Sequence, residues 1–496
     1  MEYIIVKVLR LSKRYRPLFI MLAISLILLI SYVMFLIDGI FGILTFFGLS
    51  TLLYFLMAHR IREMVFLALI LIVENIFYIF DRSRLIFIYD LKQLAGFFLL
   101  VVFILYLPRI VQSKFLLFKS MMLFIGYHII SVFTAYFTIG QPLIKGIYNL
   151  MIPSLILVYF FGCFLIEDQK RYEKFKTLLI YCSIVAGLIY ILQAFLYPKI
   201  IFLSTDFRYR YGNIRFTEFT VFMLFGAFIT MNELLVRPGK ELKSKRFLYG
   251  LALLIQLGTF LLISQSRFIT LTSLILIGLA LTTLQRRIPR RWILAFLLWF
   301  TLGITSLLIF FYLMGNVPRL DFIFETIEEI VTVSGNLEIR SYAVKYFLEN
   351  LKGHWLFGWG SLNIDYPEAL FVSGRRLWHY MVDVGIVGYT YQYGFLGSLV
   401  SLQLTFKSLQ ISWWIYKKNR NVFFPLLCNG AVLINCVMVY FFQETMALFY
   451  VGLIYVFMEF EYRKAFENER GALSSENSDD LTMSNAPLQS GKQSPC

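Results

Sequence analysis

The feature that most constrains this chain is a series of apolar runs, each about 20 residues long, that recurs along nearly its whole length. Of the 496 residues, 59% are hydrophobic and only 15% are charged, which is too apolar for a soluble domain. A run of about 20 apolar residues can cross the hydrocarbon core of a bilayer as a helix. The sequence therefore predicts an all-α, polytopic membrane protein with about 12–14 transmembrane helices.

The predicted spans fall on either side of one long polar segment. They lie near residues 17–37, 39–57, 64–80, 93–108, 115–137, 141–165, 177–197, 216–236, 247–265, 268–284, 291–313, 386–412, 421–441 and 446–462. The first is expected to be retained, because no small-residue cleavage site precedes it. The predicted organisation is a bundle of about 11 spans at 1–313, a large loop at 314–385, further spans at 386–462 and a disordered tail at 463–496.

Alternate connections between the spans are rich in lysine and arginine, as in HRIR (59–62), DQKRYEKFK (168–176), RPGKELKSKR (237–246), RRIPRR (286–291) and YKKNR (416–420). The positive-inside rule places these connections and both termini in the cytoplasm. The loop at 314–385 and the short connections TIGQ (138–141) and QET (443–445) are then external. The net charge of +16 follows from this pattern, so no nucleic-acid partner is expected.

Cysteine and histidine spacing gives no sign of a metal site. Four of the five cysteines lie in apolar runs and the fifth ends the chain, and the four histidines are scattered. The sequence therefore predicts neither a metal nor a disulfide framework.

The external loop contains the pattern of an amphipathic helix, NLEIRSYAVKYFLENLKG, with Asn336 as its N-cap and Gly353 as its stop signal. Its predicted solvent face consists of Glu338, Lys345, Glu349 and Lys352. Arg340 falls instead on the apolar face, with Ala343, Val344, Phe347 and Leu351. An arginine on a buried face needs a partner, either a carboxylate such as Glu218 or Asp383, or a bound anion.

Further candidate residues flank or follow the loop. Arg267 interrupts the apolar stretch FLLISQSRFITLTSLIL, which predicts an external hairpin or a water-filled cavity that uses the charge. The glycines of HWLFGWGSLN (354–363) predict a tight turn whose backbone approaches another element. Asp383 lies at the mouth of the next span, as an interfacial anchor or as a general base. The glycines that follow it are typical of close helix packing.

The order of these features resembles the O-antigen polymerase and ligase superfamily, and most closely its polymerase branch for O-antigen, capsule or exopolysaccharide. The features are the SQSR hairpin, the large external loop, the helix with Arg340, the FGWG turn and DVGIVGYTYQYGFLG, and the match covers roughly residues 205–400. The turn GNIRFTEF departs from the usual small-residue and Asn-Pro pattern of the family.

The resemblance implies a glycosyltransferase of the inner membrane that needs no metal, nucleotide or other cofactor. Its substrates would be glycans on undecaprenyl diphosphate, and its partners would be membrane lipid and a chain-length regulator protein. Arg267 and Arg340, with Arg210 or Arg215 from RYRYGNIR (208–215), would hold the diphosphate. The catalytic base would be Asp383, as in polymerases, or His379, which lies near the place of the ligase histidine.

Two alternatives stay open at this stage. One is the ligase branch, which transfers glycan from the same donor to a lipid or protein acceptor. The other is a lipid-linked oligosaccharide flippase of similar length, although a flippase needs no large external loop and usually carries charges within several spans.

Overall fold

A computed structural model of the protein describes residues 25–26, 60–74, 91–197, 199–201, 203, 208–210, 213–215, 220–236, 243–259, 267–284, 336–377, 379–437, 440–443 and 445–483. The predicted spans at 17–37 (apart from residues 25–26), 39–57 and 291–313 lie outside these residues. So do the first part of the external loop, residues 314–335, and the last thirteen residues, 484–496.

The described chain divides into two compact units. Residues 1–91 with 201–204 form the first, which contributes helix α1 (Ile61–Val73), and residues 92–200 with 205–496 form the second. The helices α2–α9 that follow are Leu91–Gln112, Phe118–Ile139, Leu143–Leu150, Val158–Leu165, Gln169–Leu196, Thr220–Val236, Lys243–Gly258 and Arg267–Leu284. The helices α10–α14 are Asn336–Asn350, Pro367–Val372, Gly385–Lys418, Phe424–Asn435 and Thr445–Met483.

The regular secondary structure of the described residues is helical apart from one short hairpin, as the sequence predicts. The hairpin pairs β1 (Arg208–Arg210) with β2 (Asn213–Arg215). Four segments of the described chain are long and apolar enough to cross a membrane: Lys92–Gln112, Phe118–Ile139, Leu143–Leu165 and Gln169–Leu196. Shorter apolar helices follow at Thr220–Leu235, Phe247–Gly258, Leu271–Ala280 and Phe424–Asn435.

Two of the predicted spans are interrupted helices. Between α4 and α5 the chain passes through a buried 3-10 helix at Pro153–Leu157. Gly96 of α2 packs against this interruption so closely that a Cβ would lie 1.8 Å from the Met151 carbonyl oxygen. Helix α12 is broken at Gly394, whose φ of 68° and ψ of 179° are not helical.

The helix ends that flank the basic connections meet one another. Three contacts join them: Lys176 with Glu233 at 2.6 Å, Asn232 with the Phe423 N–H at 2.9 Å, and Glu459 with the Leu116 N–H at 3.1 Å. The Lys176–Glu233 pair is buried on both sides, so the loss of either partner would leave an uncompensated buried charge. Described residues beside three of the predicted cytoplasmic connections, 168–176, 237–246 and 416–420, thus meet at one end of the second unit.

The connections that are poor in basic residues also meet one another. The Gln141 side chain of TIGQ donates to the Ser361 carbonyl at 2.8 Å. The Gln443 side chain of QET donates to Gln392 at 3.1 Å. The loop that precedes α12 therefore meets TIGQ, and α12 itself meets QET near its start; the charge pattern predicts that all three segments are external.

Helix α14 differs from the prediction for the C-terminus. The sequence predicts a disordered tail from residue 463, whereas the helix continues to Met483. A charge pair supports the helix at the point where the tail was predicted to begin, since Arg463 donates to Glu459 at 2.8 Å one turn away, and pairs at this spacing stabilise helices.

Candidate functional site

The faces of the loop helix α10 match the predicted amphipathic pattern. All four residues of the predicted solvent face are exposed, namely Glu338, Lys345, Glu349 and Lys352. On the opposite face Ala343, Phe347 and Leu351 are buried, and Arg340 is half-buried. The helix begins at Asn336, and three turn residues after Asn350 lead to Gly353 with a φ of 87°.

The buried face of α10 packs against the start of α12. Phe347 and its apolar neighbours form one cluster with Val384 and Tyr391. The rings of Phe347 and Tyr391 lie 4.7 Å apart. Val384 belongs to a 3-10 helix, Met381–Val384, that also carries Asp383. The structure therefore brings the helix of Arg340 and the turn of Asp383 into one packed body, which we name the loop unit (residues 336–384).

His379 lies inside this unit, against α10. Its backbone N–H donates to the Gly374 carbonyl at 3.1 Å, and its ring lies 5.2 Å from that of Tyr346. The Nδ1 atom is enclosed and has no hydrogen-bond partner among the described residues. Burial raises the pKa of the neighbouring Tyr346 phenol. The His379 side chain as a whole is half-buried.

Asp383 differs from His379 in being exposed. Its backbone N–H donates to the Tyr380 carbonyl at 3.1 Å, and the next residue, Val384, is buried in the cluster. The exposed carboxylate thus belongs to a turn that the buried Val384 side chain fixes in place. Such a group can accept a proton from a hydroxyl brought within hydrogen-bond distance.

Two arginines of the loop unit were not assigned to the site from the sequence. Arg375 and Arg376 form a short 3-10 helix after Gly374, and both are exposed. The Arg375 guanidinium lies 5.9 Å from the centre of the Tyr380 ring, within the range of a cation–π interaction. The GRR run itself was the signal in the sequence, and the structure places it beside His379.

The FGWG turn completes the broken helix α12. At the break, the carbonyls of Tyr391 and Gln392 accept hydrogen bonds from the Trp359 and Gly360 N–H groups at 3.2 and 2.7 Å. In the other direction, the Phe395 and Leu396 N–H groups donate to the Trp355 and Leu356 carbonyls at 2.7 and 3.2 Å. The Tyr127 hydroxyl of α3 donates to the Tyr393 carbonyl. Backbone groups that an interruption frees inside a protein need such internal partners.

The predicted close approach of the turn's glycines is confirmed. Gly360 has a φ of 86°, and a Cβ there would lie 2.5 Å from the Ser131 carbonyl oxygen of α3. The following residue, Ser361, donates its N–H to the same carbonyl at 2.9 Å. The turn is thus wedged between α3 and α12, and only glycine fits its closest point.

A network of side-chain amides fixes the rest of the loop to α3 and α4. Gly140, with a φ of 68°, ends α3 and leads into buried Gln141. Gln141 donates to the Ser361 carbonyl at 2.8 Å and accepts from the Asn363 N–H at 2.7 Å. Asn149 of α4 donates to the Leu362 carbonyl at 2.7 Å. The bonded residues of this network lie more than 200 positions apart in the chain, so no local sequence pattern reveals the network.

The other predicted arginines are described only by their backbone positions. In the hairpin, Arg208 pairs with Arg215, and Arg210 pairs with Asn213. Opposite residues of an antiparallel pair share a face, and so do alternate residues of one strand. Arg210 and Arg215 therefore occupy the same face of the hairpin. Arg267 is the first residue of α9. The side chains of these arginines lie outside the described part of the chain.

Comparison with models of known protein families and with curated protein sequences finds no match for this chain.

Proposed function

We propose that the protein is a polysaccharide polymerase, which joins undecaprenyl-diphosphate-linked oligosaccharide repeat units at the outer face of the cytoplasmic membrane. The observation that carries this proposal is the loop unit. It holds a half-buried arginine, Arg340, and both candidate bases, His379 and Asp383, in one packed body beside the broken helix α12. Such a body can present a fixed set of charged groups to a substrate at the membrane surface.

The energy for the reaction comes from the donor. The proposed step is attack by an acceptor sugar hydroxyl on the anomeric carbon of the donor glycan. The new carbon–oxygen bond forms as the bond to the diphosphate breaks, and the electron pair of that bond leaves with the lipid diphosphate. The hydroxyl proton passes to a base of the protein. No oxidant, nucleotide or metal is needed for this step to balance.

The proposed role of the arginines is to bind the leaving diphosphate. Arg267, Arg340 and one or both of Arg210 and Arg215 are the candidates. A guanidinium matches two phosphate oxygens with two parallel hydrogen bonds. Donors aimed at charge that develops in the transition state contribute about 2.7–4 kcal/mol each, by analogy with oxyanion holes.

The proposed base is Asp383 or His379. Asp383 is exposed on a fixed turn, so its carboxylate can meet the acceptor hydroxyl directly. The Nδ1 atom of His379 is enclosed beside Tyr346, so Nε2 would be the nitrogen that accepts the proton. The enclosed histidine is the observation that favours the ligase branch as the second candidate function, since the resemblance implies a catalytic histidine at this place in ligases.

A deletion strain separates the candidate functions. We expect cells that lack the protein to carry surface glycan of a single repeat unit, because export continues while chain growth stops. Polymer that accumulates unlinked on the carrier lipid would instead indicate a ligase. Lipid-linked repeat units that fail to reach the outer face would indicate a flippase.

A further inference from the structure

The part of α12 after the break at Gly394 presents one continuous apolar stripe to its surroundings. We call its C-terminal end, near Trp413, the lower end and its N-terminal end, near Phe395, the upper end. Phe395, Leu399, Phe406 and Trp413 are all at least 46% exposed, and their spacing places them along a single helix face. A continuous exposed apolar stripe marks a contact with a membrane or with another protein, and lipid is the contact to expect in a chain whose described part has four segments apolar enough to cross a membrane. The stripe therefore marks where the membrane touches this helix.

The lower end of the stripe has the composition of a membrane interface. The Lys417 ammonium lies 5.4 Å from the centre of the Trp413 ring, and the Trp414 ring lies 4.5 Å from that of Tyr462. Tryptophan and tyrosine concentrate at the level of lipid headgroups, and lysine extends its charge toward water there. This end belongs to the basic end of the unit described above.

The upper end of the stripe lies one membrane thickness away. A helix rises about 1.5 Å per residue, so Phe395 stands about 27 Å above Trp413. The hydrocarbon core of a bilayer is about 30 Å thick. Phe395 and the helix break at Gly394 therefore stand at the opposite interface.

The loop adds three apolar side chains at this level. Trp355, Leu356 and Phe357 are 50%, 58% and 43% exposed. Their turn is fixed to the top of the stripe, because the Phe395 N–H donates to the Trp355 carbonyl at 2.7 Å. The exposed triplet thus continues the lipid-facing stripe beyond the end of the regular helix.

We infer that Trp355, Leu356 and Phe357 insert into the outer leaflet of the membrane and anchor the loop unit there. The surface that these side chains contact is the phospholipid interface, where an aromatic ring beside aliphatic side chains is most stable. Through backbone hydrogen bonds the same turn is joined to α12, so the anchor sets the height of the loop unit above the bilayer. The inference is independent of glycosyl transfer.

Tryptophan fluorescence tests the inference on the full-length protein. The protein is placed in nanodiscs whose phosphatidylcholine carries bromine either near the headgroup end of the acyl chain or near its methyl end. The difference between wild type and Trp355→Phe isolates the emission of Trp355. We expect bromine near the headgroup to quench this emission several-fold more than bromine near the methyl end, and iodide in the water to quench it weakly.

The matched control is Trp359→Phe in the same turn. The Trp359 ring is half-buried, and its indole N–H donates to the Asn350 carbonyl, so bromine at either depth should quench its emission less than that of Trp355. Phe357→Trp gives a second probe if Trp355→Phe does not fold. Emission from Trp355 that iodide quenches and bromine does not would overturn the inference. Stronger quenching by bromine at the methyl end would contradict the interfacial position of Trp355 and place its ring deeper in the bilayer.

Discussion

Gly358 and Gly394 face each other so closely that neither has room for a side chain. A Cβ on Gly358 would lie 2.4 Å from the Gly394 nitrogen, and a Cβ on Gly394 would lie 2.5 Å from the Gly358 nitrogen. Their φ values are 67° and 68°, in the left-handed region that other residues rarely adopt. The loop and the broken helix therefore depend on the same pair of glycines.

Alanine at either glycine is expected to destabilise the protein. Each substitution forces a backbone clash and a strained φ, and strain of this kind alone costs about 1–3 kcal/mol. Because the two residues form one contact, the double variant should lose less than the sum of the single losses. The measurement is the midpoint of thermal unfolding in detergent. Gly126→Ala in α3 is the control, since nothing lies within 4 Å of the added Cβ. An equal fall in the unfolding midpoint of this control would show that the clash between the two glycines is not the cause.

Gln141→Ala is expected to loosen the loop from α3. The change leaves the Ser361 carbonyl and the Asn363 N–H without their partners, and an unsatisfied buried group costs about 1–3 kcal/mol. We expect a lower unfolding midpoint and faster proteolysis within the loop. The exposed Gln169 donates to Glu173 within its own helix, so Gln169→Ala should have little effect. Unchanged proteolysis in Gln141→Ala would mean that other contacts hold the loop.

The two candidate bases are distinguished by paired substitutions. If Asp383 is the base, Asp383→Asn should abolish polymer, while His379→Ala should be milder. Asp383 is exposed, so its replacement by the isosteric amide should leave the protein level in the membrane unchanged. The measurement is the length of surface glycan beside an immunoblot of the membrane fraction. The reverse order of damage would place the chemistry on His379 and favour a ligase-like arrangement.

Substitutions of Arg267 test whether it binds an anion. Lysine keeps the charge but loses the planar pair of donors, so Arg267→Lys should shorten the glycan substantially if the residue holds a diphosphate. Arg267→Ala should be worse, and Arg340→Ala comparable, with about 10²–10³-fold lower turnover. The double variant should be little worse than either, since residues that act as one unit fail together. Full-length polymer from both Arg267 variants would assign this arginine a structural role.

Cysteine labelling tests the predicted orientation in the membrane. Lys352 and Arg420 are both exposed, one in the loop unit and the other in a basic connection. In a background without native cysteines, an impermeant thiol reagent should label Lys352→Cys in intact cells. Arg420→Cys should react only after the cells are opened. The opposite result would invert the topology and exclude a reaction at the outer face.

Periodicity revealed the parts of the structure that local sequence determines. The two faces of α10 follow from the spacing of Glu338, Lys345, Phe347 and Leu351, because side chains repeat every 3.6 residues. The glycines of FGWG indicated a close approach, although not to which helix. The break at Gly394 was missed because that glycine is one of four in a helical pattern, and its non-helical shape depends on hydrogen bonds from a distant turn.

Long-range polar contacts were beyond the reach of a single sequence. Gln141 and Asn363 are 222 positions apart, and nothing in either neighbourhood marks the other. The extension of α14 to Met483 was missed for a different reason. The composition of residues 463–483 is that of a solvated segment without an apolar face, which predicts disorder. The first turn of this segment is nevertheless stabilised by the charge pair of Arg463 with Glu459.

The way α12 is broken also has a consequence for biosynthesis. Every hydrogen-bond partner named for its freed backbone groups comes from the preceding loop or from α3, and both are translated earlier. When α12 reaches the membrane, its missing partners have already been made. The partners are thus synthesised before the helix that needs them. The carbonyl and N–H groups at the break can therefore be hydrogen-bonded as soon as α12 has been made.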